Sequence, residues 1–181
     1  AIISPATVGS SETALAMNPD HVSLYQLTIE PGTAFERNRD RGTLIVPDDE
    51  AAVGLYQLSQ DICGASGFNG YEVSNHARMG FESRHNLTYW RYADYAGIGP
   101  GAHGRLTIDG VKHATTSWRD PARWLEQTAR QGHGVEQMTP MNRHDQATEL
   151  VLMGLRLDEG ISLSRYRDVA GVPLDEIRLS E

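Results

Sequence analysis

Residues 47–75 read PDDEAAVGLYQLSQDICGASGFNGYEVSN, and this stretch indicates the class of fold. Asp48 is suited to cap the start of a helix, and the two acids after it favour the positive end of the helix dipole. Gly67 is a typical residue after a helix end. Apolar residues recur on one helical face between them, at Leu55, Leu58 and Ile62. The stretch therefore predicts an amphipathic helix followed by a second element.

Two segments typical of strands flank that helix. Residues 21–29, HVSLYQLTI, alternate in polarity and are rich in β-branched and aromatic side chains, and residues 68–75, FNGYEVSN, are again typical of a strand. A short helix is expected in residues 10–18, SSETALAMN, before the first strand. The order helix, strand, helix, strand predicts an α/β protein with a parallel sheet.

The second part of the chain has a different pattern. RLTIDGVKHA contains Asp-Gly between two short alternating runs, which is typical of a β-hairpin. Three helices are predicted after it, one capped by Asp120, one beginning at Asn142 and one in residues 162–171. We therefore divide the chain into an α/β part, residues 1–115, and a small helical part, residues 116–181.

The composition argues against several classes of partner. Asp and Glu number 24 against 16 Lys and Arg, which gives a formal net charge of -8. The chain thus lacks the positive charge that attracts proteins to nucleic acids or anionic membranes. Its longest apolar runs are far shorter than the roughly 20 residues that cross a bilayer. We expect a globular, cytoplasmic protein with no nucleic-acid partner and no transmembrane segment.

The single cysteine, Cys63, limits the metal and redox chemistry of these residues. An internal disulfide needs two cysteines, and an iron–sulfur cluster or a thiolate zinc site needs several. Because Cys63 falls on the apolar side of the predicted helix, we expect it to be part of the core. The chain by itself is therefore expected to bind no iron–sulfur cluster.

The candidate functional residues are concentrated in residues 82–104, ESRHNLTYWRYADYAGIGPGAHG. In a helix, His85 and Tyr89 lie on one face. Asn86 and Trp90 form a second, adjacent stripe. Imidazole ligates iron, phenol hydrogen-bonds or ligates, and indole stacks, so the set suits a metal-containing planar ring such as a porphyrin, with His85 as the metal ligand. The alternative is that the aromatic rings are core, that the asparagine caps a turn and that the histidine forms an internal hydrogen bond.

Glycine is dense directly after these residues, in GPGAHG at 99–104. The spacing matches the G-x-G-x-x-G pattern of dinucleotide-binding folds, but a hairpin follows where that fold needs a helix, so a Rossmann site is rejected. Two interpretations remain. Either YAGIG, residues 95–99, is a strand whose end lets a ligand approach the backbone closely, or the glycines form a turn that binds nothing.

Four separated segments resemble a known family: HVSLYQLTIEPGTAF, YEVSNHARMG, RHNLTYWRYADYAGIGPGAHG and ELVLMGLRLDEGI. In this order they resemble the oxygen-independent coproporphyrinogen III oxidase-like proteins of the radical S-adenosylmethionine (SAM) superfamily. HNLTYW is similar to the H-N-x-x-Y-W motif of the branch regarded as haem chaperones rather than decarboxylating oxidases. The chain is thus identified as a member of this family, in its haem chaperone branch.

The resemblance implies a partial (β/α) barrel that holds a [4Fe–4S] cluster and SAM, followed by a helical C-terminal domain. The C-x-x-x-C-x-x-C loop that holds the cluster in the family, and its early glycine-rich SAM segment, are absent from this sequence. The chain therefore resembles the C-terminal half of the family, with late barrel strands in residues 1–115, and is expected to be inactive in radical chemistry alone. The resemblance places Thr28, Ile98, Gly99 and Gly101 at the SAM pocket.

Three functions are considered on this basis. The first is a haem-binding chaperone of the radical SAM type, in which His85 or Tyr89 contacts the iron and Trp90 the ring, with a haem-receiving protein as partner. The second is the non-catalytic half of a SAM-dependent coproporphyrinogen III oxidase, and the third is a protein-interaction module. Half a barrel would also expose the edge of a sheet, so we expect the chain to self-associate.

Overall fold

The computed structural model describes residues 5–174, and the chain divides into two compact units, Ala1–Ser83 and Arg84–Glu181. The first unit contains α1 (Pro5–Ala16), β1 (His21–Ser23), α2 (Ala34–Asp40), α3 (Asp49–Ala65), β2 (Asn69–Glu72) and β3 (Asn75–Ala77). The second contains α4 (Arg84–Trp90), β4 (His103–Ile108), β5 (Val111–Ser117), α5 (Pro121–Gln131), β6 (Val135–Pro140), α6 (Arg143–Gly154) and α7 (Leu163–Ala170). Both units combine helices with a sheet, which confirms the α/β class. Within the described residues, no helix is long and apolar enough to span a membrane.

The amphipathic helix predicted in the first unit is confirmed as α3. Its N-cap is Asp48, whose side chain accepts a hydrogen bond from the amide of Ala51 at 2.8 Å, and Gly67 follows its end. Cys63 is buried on the inner face of α3, as predicted. Burial raises the pKa of the Cys63 thiol, so this side chain behaves as a small apolar residue.

The strands of the first unit pair differently from the prediction. β1, β3 and β2 form a sheet in that order, and both pairs are antiparallel. Residues 68–75, expected to form one strand, turn at Val73 and Ser74 to give β2 and β3. So short a connection joins only antiparallel strands. The predicted parallel pairing is therefore wrong, although β1 and β2, on either side of β3, run in the same direction.

β1 is much shorter than the strand predicted over residues 21–29. The amide of Leu24 donates to the carbonyl of Ser74 at 2.8 Å. Ser74 belongs to the turn before β3, so β1 has no strand partner beyond this bond. Residues 24–30 have no regular secondary structure, because strand backbone needs a partner for its amides and carbonyls. Thr28 consequently lies on an exposed irregular segment rather than at the end of a strand.

A sheet of β4, β5 and β6 forms the base of the second unit, and both of its pairs are antiparallel. The predicted hairpin is confirmed, with Asp109 and Gly110 as the turn between β4 and β5. β6 is a strand that the sequence analysis missed. Its sequence, VEQMTP, lacks an alternation of apolar and polar residues, and nearly every position of β6 is exposed.

The three helices predicted near the C-terminus are confirmed as α5, α6 and α7. Their N-caps are Asp120, Asn142 and Ser162, and the side chain of each accepts a hydrogen bond from the amide three residues later. The core of this unit combines residues of α6 and α7 with one that follows α4. Its buried members are Tyr92, Ala147, Leu150 and Tyr166.

The boundary predicted between residues 115 and 116 falls inside β5, which pairs with β4 on one side and β6 on the other. Those three strands form one sheet within the second unit. The chain divides into its two compact units after Ser83, not after residue 115. The assignment of residues 1–115 to a radical SAM barrel and of residues 116–181 to a helical domain stays a prediction.

Candidate functional site

The helix expected near residue 84 is present and short. α4 covers Arg84–Trp90 and so contains the whole of HNLTYW. Its hydrogen bonding continues past the last helical residue, since the amide of Arg91 donates to the carbonyl of Leu87 at 2.9 Å. A helix of this length is not stable alone in water. Its position therefore depends on contacts with the rest of its unit.

The structure brings His85 and Tyr89 together, as their spacing predicts. Their ring centroids are 4.7 Å apart and their planes meet at 84°, which is the edge-to-face arrangement that aromatic rings favour. His85 is exposed and Tyr89 is half-buried. The part of the chain that the structure describes forms no hydrogen bond with the His85 ring. An exposed imidazole nitrogen with a free lone pair is able to bind iron.

Tyr95 extends this pair and was not singled out by the sequence analysis. Its ring centroid lies 4.3 Å from that of Tyr89, so His85, Tyr89 and Tyr95 form an aromatic row. The backbone of Tyr95 is held by Arg105, through hydrogen bonds of 2.7 Å and 2.9 Å in the two directions. Burial raises the pKa of Tyr95 above its ordinary value, so its phenol is protonated at neutral pH.

Trp90 and Asn86 occupy the adjacent stripe of α4, and both are half-buried. The guanidinium of Arg156 lies over the Trp90 ring, 4.4 Å from its centroid, in a cation–π contact. The indole N–H is buried and has no hydrogen-bond partner among residues 5–174. One face of the indole thus carries an arginine. Contact of Trp90 or Asn86 with a haem ring stays a prediction.

The glycine-rich segment is a tight loop, not the strand that YAGIG suggested. Tyr95 pairs with Arg105 in an isolated bridge, and the chain then doubles back into β4 at His103. A Cβ added at Gly97 would collide with the backbone of His103, so only glycine fits there. Gly99 has a φ of 115°, which side chains disfavour. β4 begins within G-x-G-x-x-G, at His103, where a dinucleotide-binding fold needs a helix. This agrees with the rejection of a Rossmann site.

The four residues assigned to a SAM pocket lie in different units. Ile98, Gly99 and Gly101 are in the glycine loop of the second unit, whereas Thr28 is in the first. Ile98 is 84% exposed, and a Cβ added at Gly99 would meet nothing within 4 Å, so this part of the loop borders open space. The amide of Gly101 donates to the carbonyl of Trp118 at 2.9 Å. Contact of these residues with SAM stays a prediction.

The residues present do not fit an iron–sulfur cluster. Cys63 is buried within α3, and residues 5–174 contain no group of three or more His, Cys, Asp and Glu side chains that could hold a metal. A [4Fe–4S] cluster needs several thiolates. A haem iron is different, because the tetrapyrrole supplies its equatorial ligands and one protein imidazole is enough. Coordination of a haem iron by His85 stays a prediction.

Two basic side chains meet the backbone directly after α4. Arg165 of α7 donates to the carbonyl of Tyr92 at 2.8 Å and also to that of Arg91. Lys112 of β5 donates to the Tyr92 carbonyl at 3.2 Å. Neither residue was identified from sequence, because residues far apart in the chain carry no periodic signal that they meet.

An ion pair joins the sheet to α6 near the aromatic row. Arg105 donates to both carboxylate oxygens of Glu149, at 2.9 Å and 2.6 Å, in the bidentate geometry that favours such pairs. The hydrogen bond to Glu149 is the main cause that raises the pKa of Arg105. This ion pair holds Arg105, the residue of β4 whose backbone is hydrogen-bonded to that of Tyr95.

Comparison with known proteins agrees with this structure. The HemN C-terminal domain family matches residues 141–179. The chain is 42% identical over 152 residues to "Radical S-adenosyl methionine domain-containing protein 1, mitochondrial" of Bos taurus, covering 82% of this chain and 34% of that protein. It is 35% identical over 172 residues to "Heme chaperone HemW" of Escherichia coli (strain K12), covering 94% of this chain and 43% of that protein.

The fold is similar to a solved structure described as "Coproporphyrinogen III oxidase (HemN) from Escherichia coli is a Radical SAM enzyme". The TM-score is 0.61, the identity is 14%, and the match covers 91% of this chain and 40% of that chain.

The sequence relatives identify the class as radical SAM proteins, and the similar solved structure shows the fold alone. Within that class the chain belongs to the oxygen-independent coproporphyrinogen III oxidase-like family, and its relatives include proteins named haem chaperones. The chain spans 34 to 43% of the length of the two curated relatives described above.

Proposed function

We propose that this chain is the haem-contacting part of a haem chaperone of the radical SAM type. The observation that carries the proposal is the aromatic row, whose α4 end is the exposed imidazole of His85. Relatives named haem chaperones, similar over most of this chain, support the same function.

The chemistry follows from the positions of the three rings. A nitrogen of His85 donates its lone pair to the haem iron. Tyr89 packs against the imidazole, and Tyr95 packs against Tyr89. The cavity beside Trp90 has a volume of about 160 Å³, below the roughly 300–1,000 Å³ of pockets that enclose small molecules. Haem is therefore held on an open face of α4. Open binding suits a cargo that is passed to a receiving protein.

We assign no radical step to these residues. In the full-length relatives a cluster would supply the electron that cleaves SAM, but the one buried cysteine here does not fit a cluster. The coproporphyrinogen oxidase alternative has weaker support, since the solved oxidase structure is 14% identical and shows the fold alone. A protein-interaction role, SAM binding, self-association, a haem-receiving partner and a cytoplasmic location stay predictions.

Titration of the purified chain with haem tests the proposal through the Soret band of the complex. We expect the double variant His85→Ala with Tyr89→Phe to bind haem more than about tenfold more weakly, because it lacks the iron ligand and the phenol beside it. The circular dichroism spectrum should not change, because His85 is exposed and phenylalanine keeps the ring of Tyr89.

His144→Ala is the matched control. His144 is exposed and is the second residue of α6, as His85 is of α4, and an arginine precedes each of them. This variant should bind haem like the parent chain. An equal loss in both variants would show nonspecific binding to histidine and would contradict the proposal. Loss of the fold together with binding in the double variant would show that the two residues stabilise the fold, and would contradict the proposal.

A further inference from the structure

We propose that Lys112 and Arg165 are positioning residues of the haem site, which hold α4 by the carbonyl groups at its C-terminal end. The inference rests on the proposed function, because it concerns the same face of α4. Lys112 comes from β5 and Arg165 from α7, so both lie outside HNLTYW. They act on haem through His85 rather than by touching it.

The carbonyls after α4 receive an unusual number of cationic donors. The last carbonyls of a helix lack partners within the helix and carry partial negative charge. Here the Tyr92 carbonyl accepts hydrogen bonds from Arg165 at 2.8 Å and from Lys112 at 3.2 Å. Arg165 also donates to the carbonyl of Arg91. Hydrogen bonds from charged donors are stronger than neutral ones, so two adjacent peptide groups are firmly held.

Tyr92 is the residue at which the helix is stopped. In a continued helix it would come two turns after His85 and share the face of His85 and Tyr89. Its φ of 52°, uncommon for a residue other than glycine, turns the chain out of the helix. Its ring is 3% exposed, in the core cluster with Leu150 and Tyr166. This conformation separates the buried tyrosine from the exposed histidine.

Lys112 is itself placed for this contact. Lysine side chains usually extend to solvent, but Lys112 is buried, with its ammonium 4.0 Å from the centre of the Tyr92 ring. Asp94 balances its charge at 3.1 Å. Burial raises the pKa of Asp94, but hydrogen bonds from Thr107 and Lys112 outweigh burial and keep it below its ordinary value. Asp94 is therefore ionised at neutral pH.

These contacts determine where the aromatic row lies. α4 has seven residues and cannot hold its own orientation. If the two cations are removed, the left-handed conformation at Tyr92 loses the bonds that favour it, and α4 is free to extend or rotate. His85 and Tyr89 would then move together, because both belong to that helix. The iron ligand would be retained but misplaced.

The experiment is a double-mutant cycle on the full chain, with haem binding and the Soret spectrum as readouts. Arg165→Gln and Lys112→Met are each made alone and together with His85→Ala. We expect each single change to weaken haem binding by about tenfold, as for other residues that orient a metal ligand, and to shift the Soret band toward that of His85→Ala. In the His85→Ala background neither change should weaken binding further. Arg167→Gln, at an exposed position of α7, should bind like the parent chain.

The outcomes separate this inference from the proposed function. If His85→Ala binds haem normally, the proposed function fails. If His85→Ala weakens binding but Arg165→Gln and Lys112→Met leave affinity and spectrum unchanged, or add an equal loss in both backgrounds, only the inference fails. Arg165→Lys covers the case in which Arg165→Gln does not fold. It keeps a cationic donor without the two-pronged guanidinium, so its spectrum should lie between those of the parent chain and His85→Ala. A folded Arg165→Lys variant with the affinity and spectrum of the parent chain, together with an unchanged Lys112→Met variant, would overturn the positioning role.

Discussion

The sheet of the first unit has strands of three, four and three residues, whereas that of the second unit has strands of six, seven and six. The apolar side chains differ in the same sense. Tyr25, Ile45 and Val53 of the first unit are largely exposed, while the second unit buries a continuous cluster around Tyr92 and Leu150. The first unit also buries Phe68, and the second also exposes Leu155, so the difference lies in the continuous buried cluster rather than in the amount of exposed apolar surface.

A cavity in the first unit shows the same difference. It has a volume of about 270 Å³ and lies between α3 and the irregular segment that follows β1. Its apolar lining includes Leu24, Leu27, Val46 and Leu55. Close packing normally leaves few voids of this size. An alternating pattern therefore predicts which residues prefer burial, but not which partner buries them.

The largest effect is expected for matched leucine truncations in the two units. Leu150, 4% exposed in the second unit, and Leu27, 56% exposed in the first, are each changed to alanine. Leu150→Ala should lower the free energy of unfolding by about 2–5 kcal/mol, because it leaves a cavity in the core. Leu27→Ala should change it by less than about 0.5 kcal/mol. Denaturant unfolding measures both, and equal costs would break the distinction between the units.

Local signals explain what the sequence predicted correctly about the fold. The caps Asp48, Asp120 and Asn142 were identified because each helix start is encoded in a few adjacent residues. Strands were less predictable, since their existence depends on distant partners. The strand over 21–29 was therefore predicted too long, and β6, which has no alternation of its own, was missed because it forms only against β5.

A contrast between two glycines gives the second prediction. Gly97 in the second unit has the His103 backbone where a Cβ would be, whereas Gly64 in α3 has nothing within 4 Å of that position. We expect Gly97→Ala to destabilise the chain by about 1–3 kcal/mol through overpacking. Gly64→Ala should stabilise it by about 0.5–1 kcal/mol, because alanine is the better helix former. Thermal melts measure both, and a neutral Gly97→Ala would show that the loop is not closely packed.

In the candidate site, as in the fold, contacts between residues close in sequence were predictable and contacts between distant residues were not. The contact of His85 with Tyr89 follows from their spacing within one helix. Tyr95 lies beyond α4, so no helical period relates it to Tyr89. Lys112 and Arg165 reach the end of α4 from elements far along the chain, and no local pattern announces such a contact.

The third prediction concerns a buried histidine of the first unit. His76 lies in β3, with Nε2 2.9 Å from the side-chain oxygen of Gln60. That oxygen accepts the hydrogen bond, so Nε2 carries the proton of the neutral ring. Nδ1 is buried and has no hydrogen-bond partner within the described part of the chain. A proton on Nδ1 would therefore be a buried donor without an acceptor, and the neutral ring is the form that the fold accommodates.

Acidification should consequently destabilise the first unit through His76. Burial lowers the pKa of His76 below its ordinary value of 6.5, while Glu72 raises it and His21 lowers it further. Because the folded pKa is the lower one, the unfolded chain binds more protons below pH 6.5. The contribution of His76 to the free energy of unfolding is complete above that pH and is lost as the pH falls toward the folded pKa.

We expect His76→Phe, which has no titrating ring, to reduce the loss of thermal stability between about pH 7.5 and pH 5.5. His144→Gln, at an exposed position, should leave that loss unchanged. The same loss in His76→Phe as in the parent chain would assign the pH dependence to other groups.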